Sequence, residues 1–509
     1  QAPTLGSAAN FALFSSNGAV SNNGMSHLTG NVGTNNGSST AFGNLDGVMH
    51  DNDVASQTAS TDLLLAYNQL LAATPTDFPS ALLGNGATLS EGVYSIGESA
   101  SINQTLILDG GGDANAVFIF KIDGALSSSA GSEIILINNA QACNVFWKVE
   151  GLVSLATGTI MKGNVIANNA AIVLSSGVML EGRALSTTGA VTVNGVTVRT
   201  PLGCGSPVLT GPAAPPLGSV ICYTLFSGNG EVTNSGVSHV TGDVGTNVGL
   251  TTGFDDQNVE GTIHDNPDSS TAQAANDLNV AFGHLNVLAH DIELLYPAQF
   301  GNDLVLTPHT YLLNAATVLT NKVTLNAQDN PAAVFVIKIV GALSTSTFSE
   351  VALINGAQEK NVFWLVDGAV EINDFSEFKG TLICNNAAIN LKNGTSLEGR
   401  ALSTNGGILT DTVIANMPVG CESLGTEDVA ARVAAKLYPN PFTDYITVSV
   451  EANQGDSTLV IFNSLGQTVT TRKITDATTR IDTDFVSGIY FYKLTDARGN
   501  VQSGKLMAK

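Results

Sequence analysis

The chain has 509 residues, too many for one ordinary core, and length alone points to about three domains. Charged residues are 12% and the formal net charge is −23, which argues against nucleic-acid binding by phosphate neutralisation, since that needs clustered Lys and Arg. No apolar run approaches the roughly 18–20 residues of a membrane-spanning helix. No charged-then-apolar leader opens the chain, which starts at Gln1 as if already processed. Gly is abundant at 53 residues, with many Ala, Ser, Thr and Asn, a composition that suits a β-rich solenoid whose turns and faces carry small side chains.

After an N-terminal strand region, Ala55, Ala59, Leu63, Ala66, Tyr67 and Leu70 recur at three- and four-residue steps, which predicts an amphipathic helix over Asp51 to Leu71. Short apolar strands separated by Gly, Asn and Ser turns follow. The clearest run from Asn144 to Val193, where Val153-Ser154-Leu155, Ile172-Val173-Leu174 and Val191-Thr192-Val193 repeat at a spacing of 19. Strand alternation turns the outer residues one way and the central residue the other. If each period is one coil of a solenoid, Ser154, Val173 and Thr192 stack into an outward column with a pitch of about 4.8 Å.

The chain then repeats itself. HLTGNVGTN at His27 to Asn35 returns as HVTGDVGTN at His239 to Asn247, and Asn144-Val145-Phe146-Trp147 returns at Asn361 to Trp364. LEGRALST is identical at 180–187 and 397–404, and the 19-residue rhythm recurs at 371, 390 and 409. Residues 1–204 and 217–421 are therefore two copies of one domain, joined by a Pro-containing linker, 205–216, that favours an extended, semi-rigid spacer. In copy two the helix is expected from Pro267 to Leu288, with Asn266 as N-cap and Pro267 at the first helical position. Residues 427–509 contain YPNPF and several short strand-like runs, the pattern of a small antiparallel β-sandwich.

Five cysteines, at 143, 204, 222, 384 and 421, show no metal-ligand spacing. Cys204 and Cys421 occupy matching places and could each staple the end of a copy, while the odd number leaves a thiol unpaired within the chain. His50-Asp51-Asn52-Asp53 and His264-Asp265-Asn266 could form a metal or acid–base cluster, but their place before a helix favours capping. Asp109-Gly110-Gly111-Gly112-Asp113 resembles a calcium loop, yet copy two has Asn326 in place of Asp109, which favours a turn. Glu181 and Arg183, repeated as Glu398 and Arg400, read as an ion pair or turn contact, and Trp147 and Trp364 read as core. No paired carboxylates, nucleophile elbow or phosphate loop appear, so no catalytic, metal or cofactor residues are assigned.

The start LGSAANFA, then TGNVGTN, VFIFKIDGALSSS, NVFWKVEG and LEGRALSTTGA, in this order in each copy, resemble the microbial ice-binding domain. That resemblance implies a mainly β fold: two tandem right-handed β-solenoids of triangular section, each with one long helix alongside. YPNPF and the late GIYFYKLTD…GKLMAK pattern are similar to the type IX secretion sorting domain of Bacteroidetes. It implies export by that secretion machinery and release or attachment at the outer cell surface.

In such a family ice is bound by a flat solenoid face of short side chains. Carried over by position, the face in copy one includes Thr40, Ser101, Ser127, Ser154, Val173 and Thr192. In copy two it is Thr252, Val318, Ser344, Glu371, Asn390 and Leu409. A carboxylate at 371 and aliphatics at 318 and 409 make copy one the expected stronger binder. The reading is a secreted, monomeric ice-binding protein whose partner is the ice surface and which performs no turnover. The alternative is a cell-surface adhesin or structural module for a polysaccharide or a neighbouring cell.

Overall fold

In each 19-residue period the triplet residues alternate in burial: Val153, Leu155, Ile172, Leu174, Val191 and Val193 are buried, and Ser154, Val173 and Thr192 are not. These strands pair in parallel, one coil on the next. The computed structural model describes residues 1–204, 208–418, 435–450, 457–495 and 501–509. Residues 1–420 form one unit and 421–509 a second.

Each coil of the first solenoid has three sides. One is an eight-stranded sheet, called the open face here. The other two share a 13-stranded sheet that bends along Ile160–Ala167 and Met179–Ser186, whose first halves lie on one side and second halves on the next. The bend explains the repeated LEGRALST. Leu180 and Ala184 point into the core, and Gly182 sits at the corner where a Cβ would lie 1.8 Å from the carbonyl oxygen of Gly163. Backbone cannot yield there as a flexible side chain would, so Gly182→Ala is expected to destabilise the solenoid by about 3 kcal/mol. Denaturant unfolding that leaves the variant unchanged would contradict this packing.

The coils do not follow chain order. Val20–Asn23 lies between Val191–Asn194 and Ser39–Thr40, so the first two coils cap the last one. The chain must then travel back to the far end, where Leu82–Gly84 pairs with Ala100–Asn103. Helix α1, Val54–Ala72, makes that return. Its 19 residues span about 28 Å, close to the height of the stack. Ala59, Leu63, Ala66 and Leu70 are buried against Phe14, Ile119, Phe146, Ile166 and Leu185 on the third side, the helix face.

The second solenoid repeats this plan with an eight-stranded open face, a bent 15-stranded sheet and α2, Ser269–Val287. Both helices begin later than the periodicity predicts. Asp53 caps α1, and Asp268, not Asn266, caps α2, with Pro267 before the cap. Asp268 Oδ1 accepts the N–H groups of Ser270 (2.8 Å) and Thr271 (3.1 Å), while the Thr271 hydroxyl receives the N–H of Asp268. A carboxylate two residues further on, with Thr271 to complete the reciprocal pair, outcompetes Asn266. Bonds from the Ser270 hydroxyl and the Thr271 N–H pull the Asp268 carboxyl down to about 2. A depressed acid stabilises the fold above its ordinary range and loses that contribution as pH falls. Between about pH 4 and pH 2, wild type should therefore lose more thermal stability than Asp268→Asn, which keeps an acceptor but does not titrate; parallel slopes in calorimetry would refute the cap's role.

The linker does not stand free. Asn330 Nδ2 donates to the Leu209 carbonyl and the Val334 N–H to the Thr210 carbonyl, each at 2.9 Å, so 209–210 lie bonded along the second solenoid. Cys204 is bonded to Cys143, closing the end of the first solenoid. Cys222 is also in a disulfide, Cys384 is a buried free thiol, and Cys421 lies outside the described residues. The C-terminal unit has antiparallel sheets of three and four strands around Phe442, Ile446, Val448, Leu459, Ile461 and Leu494. No described helix is long and apolar enough to cross a membrane.

Candidate functional site

Parallel pairing places the predicted column in one register. Leu82, Ser101, Ser127, Ser154, Val173, Thr192, Ser21 and Thr40 are successive partners across the open face. All six sequence-predicted positions of copy one fall in it. Two further members, Ser21 and Leu82, join them. Ser21 is 171 residues from Thr192, yet its hydroxyl lies 3.4 Å from that of Thr192. Leu82, in the end strand, is 51% exposed and breaks the run of small side chains.

In the second solenoid the column is Val318, Ser344, Glu371, Asn390, Leu409, Thr233 and Thr252. Thr233 is the further member, as Ser21 is in copy one. Beside each column runs a second row at the turn into each strand. In copy one, the carbonyls of Ala125, Leu152, Ala171, Ala190, Ala19 and Ser38 accept ladder bonds from successive coils. In copy two the row is Ala342, Ala369, Ala388, Gly407, Glu231 and Leu250. In copy one this row is mostly Ala and Ser, broken by exposed Leu152, and in copy two it is broken by Glu231 and exposed Leu250. Neither line of the first solenoid carries a charge, whereas the second has exposed Glu231 and Glu371.

The other sides differ in kind. On the second side Lys162 Nζ and Arg199 Nη2 approach Glu181 Oε2 at 2.8 and 3.0 Å across neighbouring coils. Partial burial pushes the Glu181 carboxyl up, but the bonds from Lys162 and Arg199 outweigh it and hold it below the ordinary range. In copy two Lys379 pairs with Glu398. The expected partnership of Glu181 with Arg183 is not what forms. The two residues flank the Gly182 bend and lie on different sides. Arg183 is buried and donates to the Ala9 carbonyl and to Asn164 Oδ1 at 2.8 and 2.7 Å. The helix covers the third side, which leaves the open face as the extended uncharged surface.

The clusters considered for chemistry serve local structure. His50 Nδ1 is 2.7 Å from the cap carboxylate of Asp53. Asp109 Oδ1 accepts the Gly111 N–H, and Asn326 Oδ1 accepts the Gln328 N–H in the equivalent turn, so the carboxylate is dispensable there. Among the described residues no three His, Cys, Asp or Glu side chains come together as a metal site would require. Trp147 and Trp364 are fully buried.

The chain is a tandem β-solenoid whose first open face is an uncharged ladder of mostly short side chains and whose second repeats that ladder with two carboxylates added. Comparison with known proteins agrees. The ice-binding-like family model matches residues 14–199 and 226–415, and the chain belongs to that family. A secretion system C-terminal sorting domain matches 436–509, which marks the protein as secreted or held at the cell surface. An ice-binding protein of Nostoc sp. is 37% identical over 194 residues, 37% of this chain and 71% of its own length. Ice-binding protein 1 of Shewanella frigidimarina is 41% identical over 143 residues, which are 26% of this chain and 16% of that protein. The crystal structure of an ice-binding protein from an Antarctic Flavobacteriaceae bacterium is 67% identical, with a TM-score of 0.82, over 83% of this chain and all of that one. The chain thus pairs two domains of the ice-binding-like family with a secretion sorting domain.

Proposed function

We propose that this protein adsorbs to ice through the open faces, as a monomer and without turnover, and so blocks ice growth or recrystallisation. The observation that carries this is the single register of the column from Ser101 to Thr40 on an uncharged side. Ice presents no charge and no pocket, so affinity comes from many weak contacts made together. Short hydroxyls beside methyls hold ordered water at modest entropic cost, whereas long charged chains lose more rotamer freedom. On the same grounds the first solenoid is the stronger binder: the second sets two exposed carboxylates, Glu371 and Glu231, on its open face, and the first has none there. Ice affinity partitioning of the full chain tests the proposal. Protein should enter the growing ice, and retention in the liquid fraction would refute it.

One observation favours a second reading, contact with a polysaccharide or a neighbouring cell. Phe348 and Phe375 stack 5.2 Å apart at a corner of the second solenoid and are 71% and 49% exposed. Both have φ of 57°, where the equivalent corners of the first solenoid use Gly131 and Gly158. Left-handed backbone costs a non-glycine residue about 1–2 kcal/mol. Binding of the chain to immobilised glycans, abolished by Phe348→Gly with Phe375→Gly, would support this reading over ice.

A further inference from the structure

The two solenoids meet end to end, and we propose that Asp46 locks them so that their open faces form one continuous contact surface; this rests on the ice-binding reading above. The open-face sheet of the first solenoid ends at Ser39–Thr40, and that of the second begins at Phe300–Gly301. Just past Thr40, Gly43 sits against the ring of Tyr296, where a Cβ would be 2.4 Å from a ring carbon. Asn44 Nδ2 donates to the Gln299 carbonyl, and the Tyr296 N–H donates to Asn44 Oδ1, both at 3.1 Å. One corner further round the coil, Asp46 is buried. Its Oδ1 accepts the Tyr311 hydroxyl at 2.5 Å and its Oδ2 the Thr307 hydroxyl at 2.9 Å.

Asp46 follows the second-side bridge to Thr29, and Thr307 follows the second-side strand Leu304–Leu306, so this corner of one solenoid meets its equivalent in the other. The Asn44 bonds tie the margin of one open face, just past Thr40, to the segment that enters the other at Phe300. One matched corner together with joined open-face margins sets the rotation of one stack on the other, with the open faces on the same side. A buried carboxylate is tolerated only where donors satisfy it, and the side-chain donors to Asp46 come from the opposite solenoid.

The same corner at the free end of the second solenoid carries Glu260, which is exposed. Likewise Tyr94, the equivalent of Tyr311, donates to the carbonyl four residues back, whereas the one proton of the Tyr311 hydroxyl is shared between the Thr307 carbonyl and Asp46. Each solenoid builds this corner without a buried acid contact. The Asp46–Tyr311 bond belongs to the junction and acts as a positioning contact for the two faces.

The test uses the full chain as wild type, Asp46→Ala and Tyr311→Phe, with spin labels at Gln57→Cys and Asn276→Cys on the exposed sides of α1 and α2. Wild type should give a narrow inter-label distance distribution and both variants a broad one; Asp46→Ala should leave the melting of each solenoid unchanged, whereas Tyr311→Phe, which also removes the bonds to Thr307, should lower that of the second. Thermal hysteresis should fall at least about threefold in both, because two linked faces gain by effective concentration only when geometry lets both engage. In a Ser154→Tyr background, where one face is blocked, the same variants should change little further. Distances and hysteresis unchanged in either variant would overturn the lock, as would an equal loss in the Ser154→Tyr background. Failure of wild type itself to partition into ice would instead overturn the underlying reading, and the lock's function with it.

Discussion

Ser154→Tyr in the full chain should raise the protein concentration needed for a given thermal hysteresis about tenfold, equivalent to about 1.4 kcal/mol of surface affinity. Ser154 stands in mid-column, in register with Ser127 on one side and Val173 on the other. A phenol ring projecting from that point holds the surface away from ice along both neighbouring coils, so contacts beyond residue 154 are lost with it. The serine is replaced on an outward position, and Val153 and Leu155 remain in the core, so circular dichroism should be unchanged. Ser344→Tyr, its counterpart in the second solenoid, should cost less, because Glu371 lies next to Ser344 in that column. Equal losses would abolish the ranking of the two copies, and full activity in both variants would place the contact surface on another side.

Trp147→Ala should destabilise the first solenoid by about 3–5 kcal/mol. The indole is fully buried and lies parallel to Phe120 with centroids 4.0 Å apart, and Phe120 in turn stacks on Tyr94 at 5.1 Å. Its ring N–H donates to the Lys162 carbonyl at 2.9 Å. Truncation opens a cavity inside the stack, breaks the aromatic ladder and orphans a carbonyl at the strand that bends through Gly163. Calorimetry should show one transition moved to lower temperature and the other in place, since Trp364 makes the equivalent bond to Lys379 in a separate core. Hysteresis near 0 °C should survive as long as the first solenoid stays folded, which separates a core residue from a surface one. Two transitions shifted together would show that the solenoids unfold as one.

The spacing of 19 between Ser154, Val173 and Thr192 was legible because those coils contain a three-residue open-face strand, an eight-residue bent strand and fixed turns. Earlier coils carry additional turns, such as the one built on Asp109, so Ser101 and Ser127 follow no constant period. Resemblance to the family is what places them in the column. The helices begin two or three residues later than the periodicity predicts because hydrophobic periodicity marks a face, whereas the first turn is set by whichever carboxylate reaches the free N–H groups. Glu181 and Arg183 illustrate the same limit. Two residues apart in sequence, they are separated by a bend that appears only when Gly182 stacks on Gly163.

Local sequence determined a great deal here. Strand alternation set which side chains face out, glycines and asparagines set the corners, the internal repeat set two similar solenoids, and short uncharged side chains set the character of one side. Tertiary structure alone decided that Ser21 stands beside Thr192 and Thr233 beside Leu409, because the first coils fold back over the last and no period along the chain encodes that jump. It also decided that Asp46 and Tyr311, 265 residues apart, share a bond that aligns the two faces. Both are contacts between surfaces that exist only once each solenoid has formed.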